Sequence, residues 1–331
     1  MDIAEKSRIW FAVINVYAGS QEAVKRWSKA EARMKSVGLT YHGGRTGKAG
    51  NAMELTFDAC MAGYRKFVAV GGDGTVHDVL NGIAGYVDWT SESGRPVNYS
   101  DFTIGVIPVG SGNDWIKSAG VPKDVEKAVD VLHAGHVSCQ DVVRVTLLEQ
   151  GTPPHDRPIS VSYMMNVGGV GIDARVCESV NAKKRQGKRG KILYVTSLIK
   201  AVMNRVPSDA EVICDGKTVF KGRYFSMAFG VGKYSGGGMR QTPEAVIDDG
   251  LLDVTVIPEL PMYRIIPEAP RLFTDTFLKV PELTAAKAKV ITVIPGSPAC
   301  AEPVEVDGEV VGKAPVRLEV LDSQINVVVG F

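Results

Sequence analysis

An apolar run that ends in a glycine-rich turn constrains this chain more than any other feature. Phe67-Val68-Ala69-Val70 leads into Gly71-Gly72-Asp73-Gly74-Thr75, and a helix-like segment follows from Val76. Strand, glycine turn and helix is the arrangement that brings backbone N–H groups and a helix N-terminus to a phosphate. Asp73 is unusual in such a turn, because a carboxylate beside phosphates needs a cation between them, and Mg²⁺ prefers oxygen ligands. A plain strand–helix connection is the alternative for this turn taken alone.

A second loop of the same kind lies downstream. The apolar run Thr103–Ile107 leads to Gly110-Ser111-Gly112-Asn113-Asp114. Asp114 could cap the following helix, and Asn113 could supply a left-handed turn residue. However, parallel strands would place both loops at the carboxyl edge of one sheet, where nucleotides usually bind.

The texture of the sequence changes near Val142. Before it, apolar strands alternate with helical patterns, which predicts a parallel sheet covered by helices. After it, short β-rich runs recur, with Asp215-Gly216 as a hairpin signal. We therefore predict an α/β N-terminal domain, residues 1–138, and a mainly antiparallel β-sandwich domain, residues 139–316. We also expect a polar loop over Trp89–Ser100 and a helix at Ile192–Val206 inserted in the second domain.

The composition describes an ordinary globular protein. Hydrophobic residues make up 45% of the 331 residues and charged residues 23%, and the net charge of +1 gives no global field for nucleic acid or an anionic membrane. The five cysteines are scattered, which predicts reduced thiols in a cytoplasmic protein and no zinc site. The chain has no apolar run of about eighteen residues, the length expected of a membrane-spanning helix.

Five motifs carry a resemblance to a known family. They are Gly71-Gly72-Asp73-Gly74-Thr75, Gly110-Ser111-Gly112-Asn113-Asp114, Asn166–Ala174, Asp248–Val254 and Asp307-Gly308-Glu309. In this order, and over nearly the whole chain, they resemble the elements of the diacylglycerol kinase catalytic family, in its soluble bacterial lipid-kinase branch. The first motif alone also occurs in NAD kinases and, in variant form, in phosphofructokinases.

The resemblance implies a fold and an activity. It implies that the N-terminal parallel sheet is NAD kinase- and phosphofructokinase-like, and that strands from about residue 317 to 331 return to complete this domain. It implies an ATP- and Mg²⁺-dependent kinase that phosphorylates a hydroxyl of a lipid, with diacylglycerol favoured. An NAD kinase-like enzyme and a non-catalytic nucleotide- or lipid-binding module are the alternatives.

The resemblance also assigns roles to individual residues. Asp73 and Asp114 would engage Mg²⁺–ATP directly or through water, and Glu309 would be the general base that accepts the alcohol proton. From the residues alone, Glu305 to Val310 also reads as a hairpin with an Asp-Gly turn and exposed flanking acids. The implied nucleotide contacts are Asn15, Thr46, Gly71, Gly72, Asp73, Gly74, Thr75 and Ser111.

A second metal site follows from the resemblance. It implies a structural Mg²⁺ held by the Asp249 side chain and by the backbone carbonyl groups of Val246 and Leu251. Oxygen ligands in a turn suit a hard cation. The alternative is an acidic turn before the strand that starts at Leu251.

A cationic segment suggests how the chain meets its substrate. Lys183–Lys191 contains six cationic residues, Lys183, Lys184, Arg185, Lys188, Arg189 and Lys191. A solvated loop is one interpretation, and docking on anionic lipid headgroups, with peripheral contact at the inner face of the membrane, is the other. No aromatic interleaving accompanies the cations, so we expect no nucleic-acid partner. The sequence does not fix the oligomeric state, and a homodimer is compatible with it.

The first loop departs from the family pattern. The family has Asn-Pro-x-Ser-Gly where this chain has Asn15-Val16-Tyr17-Ala18-Gly19, and Ser111 replaces a Thr. The altered loop is what motivates the non-catalytic alternative. Asp73, Asp114 and Glu309 are all retained, so we expect an active kinase.

Overall fold

The chain divides into two compact units. The computed structural model describes residues 3–15, 21–47, 51–110, 112–150, 157–185 and 208–331. The first unit comprises Met1–Val142 and Asp322–Phe331, and the second comprises Val143–Leu321. The helix expected at Ile192–Val206 lies outside the described residues.

The first unit is built on a mainly parallel sheet, as predicted. Its strands in the described residues are β1 (Trp10–Ile14), β2 (Tyr41–Arg45), β3 (Lys66–Gly71), β4 (Thr103–Pro108), β5 (Val137–Gln140) and β17 (Ile325–Val328). Their order across the sheet is β2-β1-β3-β4-β17-β5. All neighbours are parallel except β5, which is antiparallel to β17. The carboxyl ends of β1 to β4 therefore lie at one edge, which is where both glycine loops begin.

Helices cover this sheet. Those described are α1 (Ile3–Lys6), α2 (Gln21–Ser36), α3 (Ala52–Met61), α4 (Asp73–Glu92), α5 (Trp115–Ser118) and α6 (Val125–Ala134), with a 3₁₀ turn at Tyr99–Asp101. Trp27 and Met34 of α2 are buried in one cluster with Val68 and Val70 of the central strand β3. The polar loop expected from Trp89 is shorter than predicted, because α4 continues to Glu92 and the Trp89 ring packs edge-on against Phe57 of α3.

The second unit is antiparallel throughout its described pairs, which also confirms the prediction. Its strands are β6 (Val143–Leu148), β7 (Pro158–Met164), β8 (Val167–Gly171), β9 (Ser208–Cys214), β10 (Lys217–Gly230), β11 (Leu252–Pro258), β12 (Thr284–Ala288), β13 (Val290–Pro295), β14 (Pro303–Val306), β15 (Glu309–Lys313) and β16 (Val316–Val320). The order is β15-β14-β8-β10-β9-β13-β16-β6-β7, and β11 pairs with β10 and β12. Asp215 and Gly216 both have positive φ and form the predicted hairpin between β9 and β10.

The C-terminal return to the first sheet is shorter than the resemblance implied. Strand β16, which includes Arg317, pairs antiparallel with β13 and β6 of the second unit. Only β17 joins the first sheet, where it lies beside β4. Buried Val316, Leu318 and Val320 belong to the core of the second unit, and this packing keeps residues 317–320 there.

Two helices belong to the second unit. They are α7 (Ile172–Arg185) and α8 (Met262–Glu268), and 3₁₀ turns lie at Ala269–Phe273, Phe277–Lys279 and Pro298–Cys300. A partly buried ion pair fixes α7, because Arg175 donates to both Glu302 carboxylate oxygens at 2.5 and 2.7 Å, and Ser208 Oγ donates to the same group. In the described part of the chain, no helix is both long enough and apolar enough to cross a membrane.

Candidate active site

The two glycine loops of the first unit are joined through their backbones. The Gly110 N–H donates to the Gly71 carbonyl at 2.9 Å, and the Asp73 N–H donates to the Gly112 carbonyl at 3.1 Å. Strands β3 and β4 pair up to Gly71 and Pro108, so these bonds continue the sheet into the loops. The loops therefore form one structural feature at the carboxyl edge of the sheet.

The Asp73 side chain ties the second loop to the start of α4. Its two carboxylate oxygens accept the Asp114 N–H at 2.9 and 3.0 Å, and one of them also accepts the Trp115 N–H at 3.2 Å. These N–H groups belong to the start of α5, where a helix leaves its first N–H groups without backbone partners. Asp73 thus has a structural function that the sequence did not reveal.

Small residues are required where the loops meet. A Cβ added to Gly72 would lie 2.5 Å from the Gly112 carbonyl oxygen, and one added to Gly110 would lie 2.8 Å from the Gly72 nitrogen. Gly72 is the residue before α4, with φ −120° and ψ −166°, a conformation open to any residue. Close approach of the loops, and not the backbone angle, therefore explains the glycine.

Two further predicted nucleotide contacts lie at the same sheet edge. Asn15 follows β1, and its Nδ2 donates to Thr75 Oγ1 at 3.2 Å. Thr46 follows β2, and its N–H donates to the Ile14 carbonyl at 3.0 Å. Only 1% of Thr46 is exposed, and its hydroxyl has no hydrogen-bond partner among the described residues. A buried polar atom without a partner is costly, which fits a hydroxyl that a ligand completes. Ser111 and Val16–Gly19 lie outside the described residues.

Asp114 is paired with a neighbouring cation. Asp114 is buried at the start of α5, and Lys117 Nζ lies 2.6 Å from its Oδ1. Lys117 was not among the predicted site residues, although its position three residues after Asp114 at a helix start was a usable signal.

In the second unit, Glu309 follows a tightly held two-residue turn. Asp307 and Gly308 connect β14 to β15 with φ values of 50° and 89°, the positive pair of a type I′ hairpin. The Asp307 carboxylate accepts the Met165 N–H at 3.1 Å and the Asn166 N–H at 3.0 Å. Glu309 opens β15 opposite Val306 and is partly exposed. The hairpin is therefore present, and it presents the predicted base.

Glu305, which flanks this turn, and Asp307 within it are not exposed, so that part of the hairpin interpretation was wrong. Glu305 is 7% exposed and Asp307 6% exposed. The reason is that β14 is covered on both faces, since α7 packs against it and its consecutive residues Val304, Glu305 and Val306 are all buried. Burial, with the nearby carboxylates of Asp173, Asp307 and Glu309, raises the pKa of Glu305 well above its usual range, although an N–H donor from Gly308 opposes the shift.

Asp173 is a further, partly exposed acid that was not among the predicted site residues. It lies in the first turn of α7, and its Oδ2 accepts hydrogen bonds from Ser226 Oγ at 2.6 Å and Gln241 Nε2 at 2.7 Å. Burial raises the pKa of the Asp173 carboxyl group against these two donors. Its place inside the motif Asn166–Ala174 was the only sequence signal.

The predicted structural metal site has suitable donors and a competing cation. Val246, Asp249 and Leu251 offer a carboxylate and two carbonyl groups, which fit a hard ion, and Asp249 Oδ1 accepts the Leu251 N–H at 3.1 Å. Lys287 Nζ lies 4.0 Å from Asp249 Oδ2 and 3.1 Å from Asp253 Oδ2. It also donates to the Glu244 carbonyl at 2.8 Å. The acidic turn thus has an ammonium counter-charge of its own.

We expect Gly72→Ala to weaken ATP binding by about tenfold. The added Cβ would overlap the Gly112 carbonyl oxygen, and the loop movement that relieves this overlap costs about 1–3 kcal/mol of free energy. Gly85→Ala is the matched control, since its Cβ would meet nothing closer than Phe57 Cδ2 at 3.7 Å. In mid-helix it should raise the free energy of unfolding by roughly 0.5–1 kcal/mol. Titration calorimetry with ATP measures the binding, and equal affinity in both variants would contradict the close-approach argument.

We expect Lys287→Met to make the second unit respond to Mg²⁺. Without metal, removal of the ammonium group should lower the melting temperature. It should also strengthen binding of a cation to Asp249. Added Mg²⁺ should therefore restore stability, and at one hundred times its Kd it should raise the free energy of unfolding by about 2.7 kcal/mol. Calorimetric melting with Mg²⁺ or with chelator measures this. Lys217→Met, on an exposed residue, controls for loss of one charge. An identical Mg²⁺ response in the wild type and both variants would reject competition by Lys287.

Two family models match adjoining parts of the chain. The diacylglycerol kinase catalytic domain matches residues 10–145. The YegS C-terminal NAD kinase beta sandwich-like domain matches residues 166–329. The first match contains both glycine loops, and the second contains the Asp307-Gly308 turn and Glu309.

Whole-length relatives agree with this pairing. A diacylglycerol kinase of Mycobacterium tuberculosis (strain CDC 1551 / Oshkosh) is 25% identical over 319 residues, covering 94% of each chain. A YegS-like candidate lipid kinase of Pseudomonas syringae pv. syringae (strain B728a) is 30% identical over 213 residues, covering 64% of this chain and 60% of the relative. The crystal structure of a candidate diacylglycerol kinase from Bacillus anthracis str. Sterne superposes with a TM-score of 0.73 at 23% identity, covering 97% of each chain. The chain therefore carries a diacylglycerol kinase catalytic domain followed by a YegS C-terminal NAD kinase beta sandwich-like domain.

Proposed function

We propose that this protein transfers the γ-phosphoryl group of ATP to a hydroxyl group of a lipid, with diacylglycerol as the favoured acceptor. The chain carries a diacylglycerol kinase catalytic domain, and relatives matched over nearly their whole length carry the name diacylglycerol kinase. The acceptor and the roles of individual residues are the content of the proposal.

One observation carries the nucleotide part of the proposal. The two glycine loops meet at the carboxyl edge of the parallel sheet, directly before the N-terminus of α4. The N-terminus of a helix and closely approaching backbone N–H groups bind phosphate. The proposed contacts are Asn15, Thr46, Ser111 and the loop Gly71–Thr75.

The acidic residues of these loops complete the proposed nucleotide site. Asp73 fixes the second loop through the Asp114 and Trp115 N–H groups, and Asp114 lies beside Lys117. Mg²⁺, when bound with ATP, neutralises charge on the transferring phosphoryl group. We propose that Asp73 and Asp114 engage this ion, directly or through water, and that Asp249 with the carbonyl groups of Val246 and Leu251 holds a separate structural ion.

Glu309 is the proposed general base. As the lipid hydroxyl oxygen forms its bond to the γ-phosphorus, the bond from phosphorus to the β–γ bridging oxygen breaks, and ADP leaves. The hydroxyl proton passes to the Glu309 carboxylate. The products are a lipid phosphate and ADP. A carboxylate positioned in this way typically contributes a factor of about 10² to 10⁴ in rate.

We expect Glu309→Gln to lower kcat by roughly 10²- to 10⁴-fold, because the amide cannot accept the proton. The KM for ATP should change by less than about twofold, since the proposed ATP contacts lie in the first unit. Transfer of labelled γ-phosphate to diacylglycerol, to an extracted lipid mixture and to NAD measures the rate and identifies the acceptor.

Glu319→Gln is the control, because Glu319 is a partly exposed acid paired with Arg317 on β16. A full rate in Glu309→Gln would remove the base assignment while leaving the kinase proposal intact. Label on NAD and on no lipid would favour the NAD kinase-like alternative. Label on neither, with ATP still bound, would favour the non-catalytic module.

We further propose peripheral contact with the inner face of an anionic membrane through Lys183–Lys191. Lys183, Lys184 and Arg185 end α7, and residues 186–191 lie outside the described residues. The support is the sequence pattern together with a substrate class that resides in membranes.

Replacement of Lys183, Lys184, Arg185, Lys188, Arg189 and Lys191 by Gln should weaken binding to vesicles that contain phosphatidylglycerol by at least tenfold at low salt. Each cation near an anionic surface contributes about 1 kcal/mol, so the loss of several is easily measured. Vesicle flotation measures the bound fraction, with neutral phosphatidylcholine vesicles as the control. Unchanged binding to the anionic vesicles would reject this surface.

A further inference from the structure

The turn that precedes Glu309 is held by hydrogen bonds at four of its polar groups. The Asp307 N–H donates to the Val167 carbonyl at 3.0 Å, and the Asp307 carboxylate accepts the Met165 and Asn166 N–H groups. The Gly308 carbonyl accepts a hydrogen bond from Cys177 Sγ at 2.7 Å. The remaining group, the Gly308 N–H, donates to Glu305 Oε2 at 2.9 Å.

Glu305 reaches this N–H from inside the sheet. Its backbone pairs with Gly169 of β8 on one side and with Val310 of β15 on the other. A Cβ added to Gly169 would lie 3.3 Å from Glu305 Oε1 and 3.2 Å from Asp173 Cβ. The absence of a side chain at Gly169 therefore makes the space in which the Glu305 carboxyl group lies beside Asp173.

The surroundings of Glu305 are acidic on each packed element. Asp173 faces it from α7, Asp307 from the turn and Glu309 from β15. Asp173 takes its hydrogen bonds from Ser226 and Gln241, and Asp307 takes two backbone N–H groups. A negative charge on Glu305 among these carboxyl groups would be costly in this buried place.

We propose that Glu305 is a positioning residue for Glu309, and that it acts as a neutral carboxylic acid that fixes the Asp307-Gly308 turn through the Gly308 N–H. The inference rests on the proposed function for the role of Glu309. The neutral state of Glu305 can be tested independently of that role, because an uncharged carboxylic acid has the same shape as an amide. Gln should therefore replace Glu305, whereas a side chain that cannot reach Gly308 should not.

Kinetics of two variants test the positioning. Glu305→Gln should retain kcat within about threefold of the wild type, because its amide oxygen can still accept the Gly308 N–H. Glu305→Ala should lower kcat at least tenfold and leave the KM for ATP within about twofold, since it frees the turn but not the proposed ATP contacts. A Gln variant as slow as the Ala variant would overturn the proposal, and so would an Ala variant with full kcat.

Stability against pH tests the neutral state without any lipid. Burial and the neighbouring carboxylates raise the folded-state pKa of Glu305, so its contribution to stability is full below the unfolded pKa of about 4.3 and is lost as pH rises through the folded-state value. Glu305→Gln does not titrate. Its melting temperature minus that of the wild type should therefore increase from pH 5 to pH 8.

The same series on Glu319→Gln is the control, and its difference from the wild type should stay constant over this range. A Glu305→Gln difference that stays flat or falls with pH would show that Glu305 is charged in the folded protein and would overturn the proposal. If the wild type phosphorylates no lipid but the difference still rises, the proposed function fails while the neutral Glu305 stands. The two failures are thus distinguishable.

Discussion

The hydrogen bonds made by the Asp73 carboxylate are the interactions on which the candidate nucleotide site of the first unit depends. A glycine loop after one strand and a glycine loop after the next would each be mobile alone, because glycine has few conformational restraints. Asp73 accepts N–H groups of Asp114 and Trp115, and its own N–H bonds to Gly112. The Asp73 side chain therefore orders the second loop and binds backbone N–H groups at the start of α5. It also holds the first turn of α4 beside the second loop.

In the second unit, a carboxylate likewise accepts backbone N–H groups from a neighbouring connection. Asp307 accepts the N–H groups of Met165 and Asn166, which precede β8, and its own N–H donates to the Val167 carbonyl. In both units a carboxylate at a strand end binds the backbone of a neighbouring connection. The chemistry proposed for each unit depends on such a connection, because phosphate binding and proton acceptance both require fixed positions.

The sequence predicted the elements that glycine and apolar periodicity define. Both glycine loops, the parallel sheet and the Asp215-Gly216 hairpin follow from local patterns of strand and turn residues. It could not show that Glu305 is buried, because alternation of Val304, Glu305 and Val306 predicts one face in water. That prediction assumes that one face of the sheet is exposed to solvent. In the structure β14 is an interior strand, and side chains on both of its faces are buried. The placement of Arg317 failed for a related reason, since strand pairing is decided by distant partners.

The number of backbone N–H donors distinguishes the acids at these connections. N–H groups that bind a carboxylate favour its charged form, and burial without enough donors favours the neutral form. Within the described residues, the Asp73 and Asp307 carboxylates each accept two different backbone N–H groups, whereas the Glu305 carboxyl group accepts the Gly308 N–H. The hairpin turn thus places Glu305, which accepts fewer backbone hydrogen bonds, beside Asp307, which accepts more. Burial among other carboxyl groups with one backbone donor fits the neutral state that we propose for Glu305.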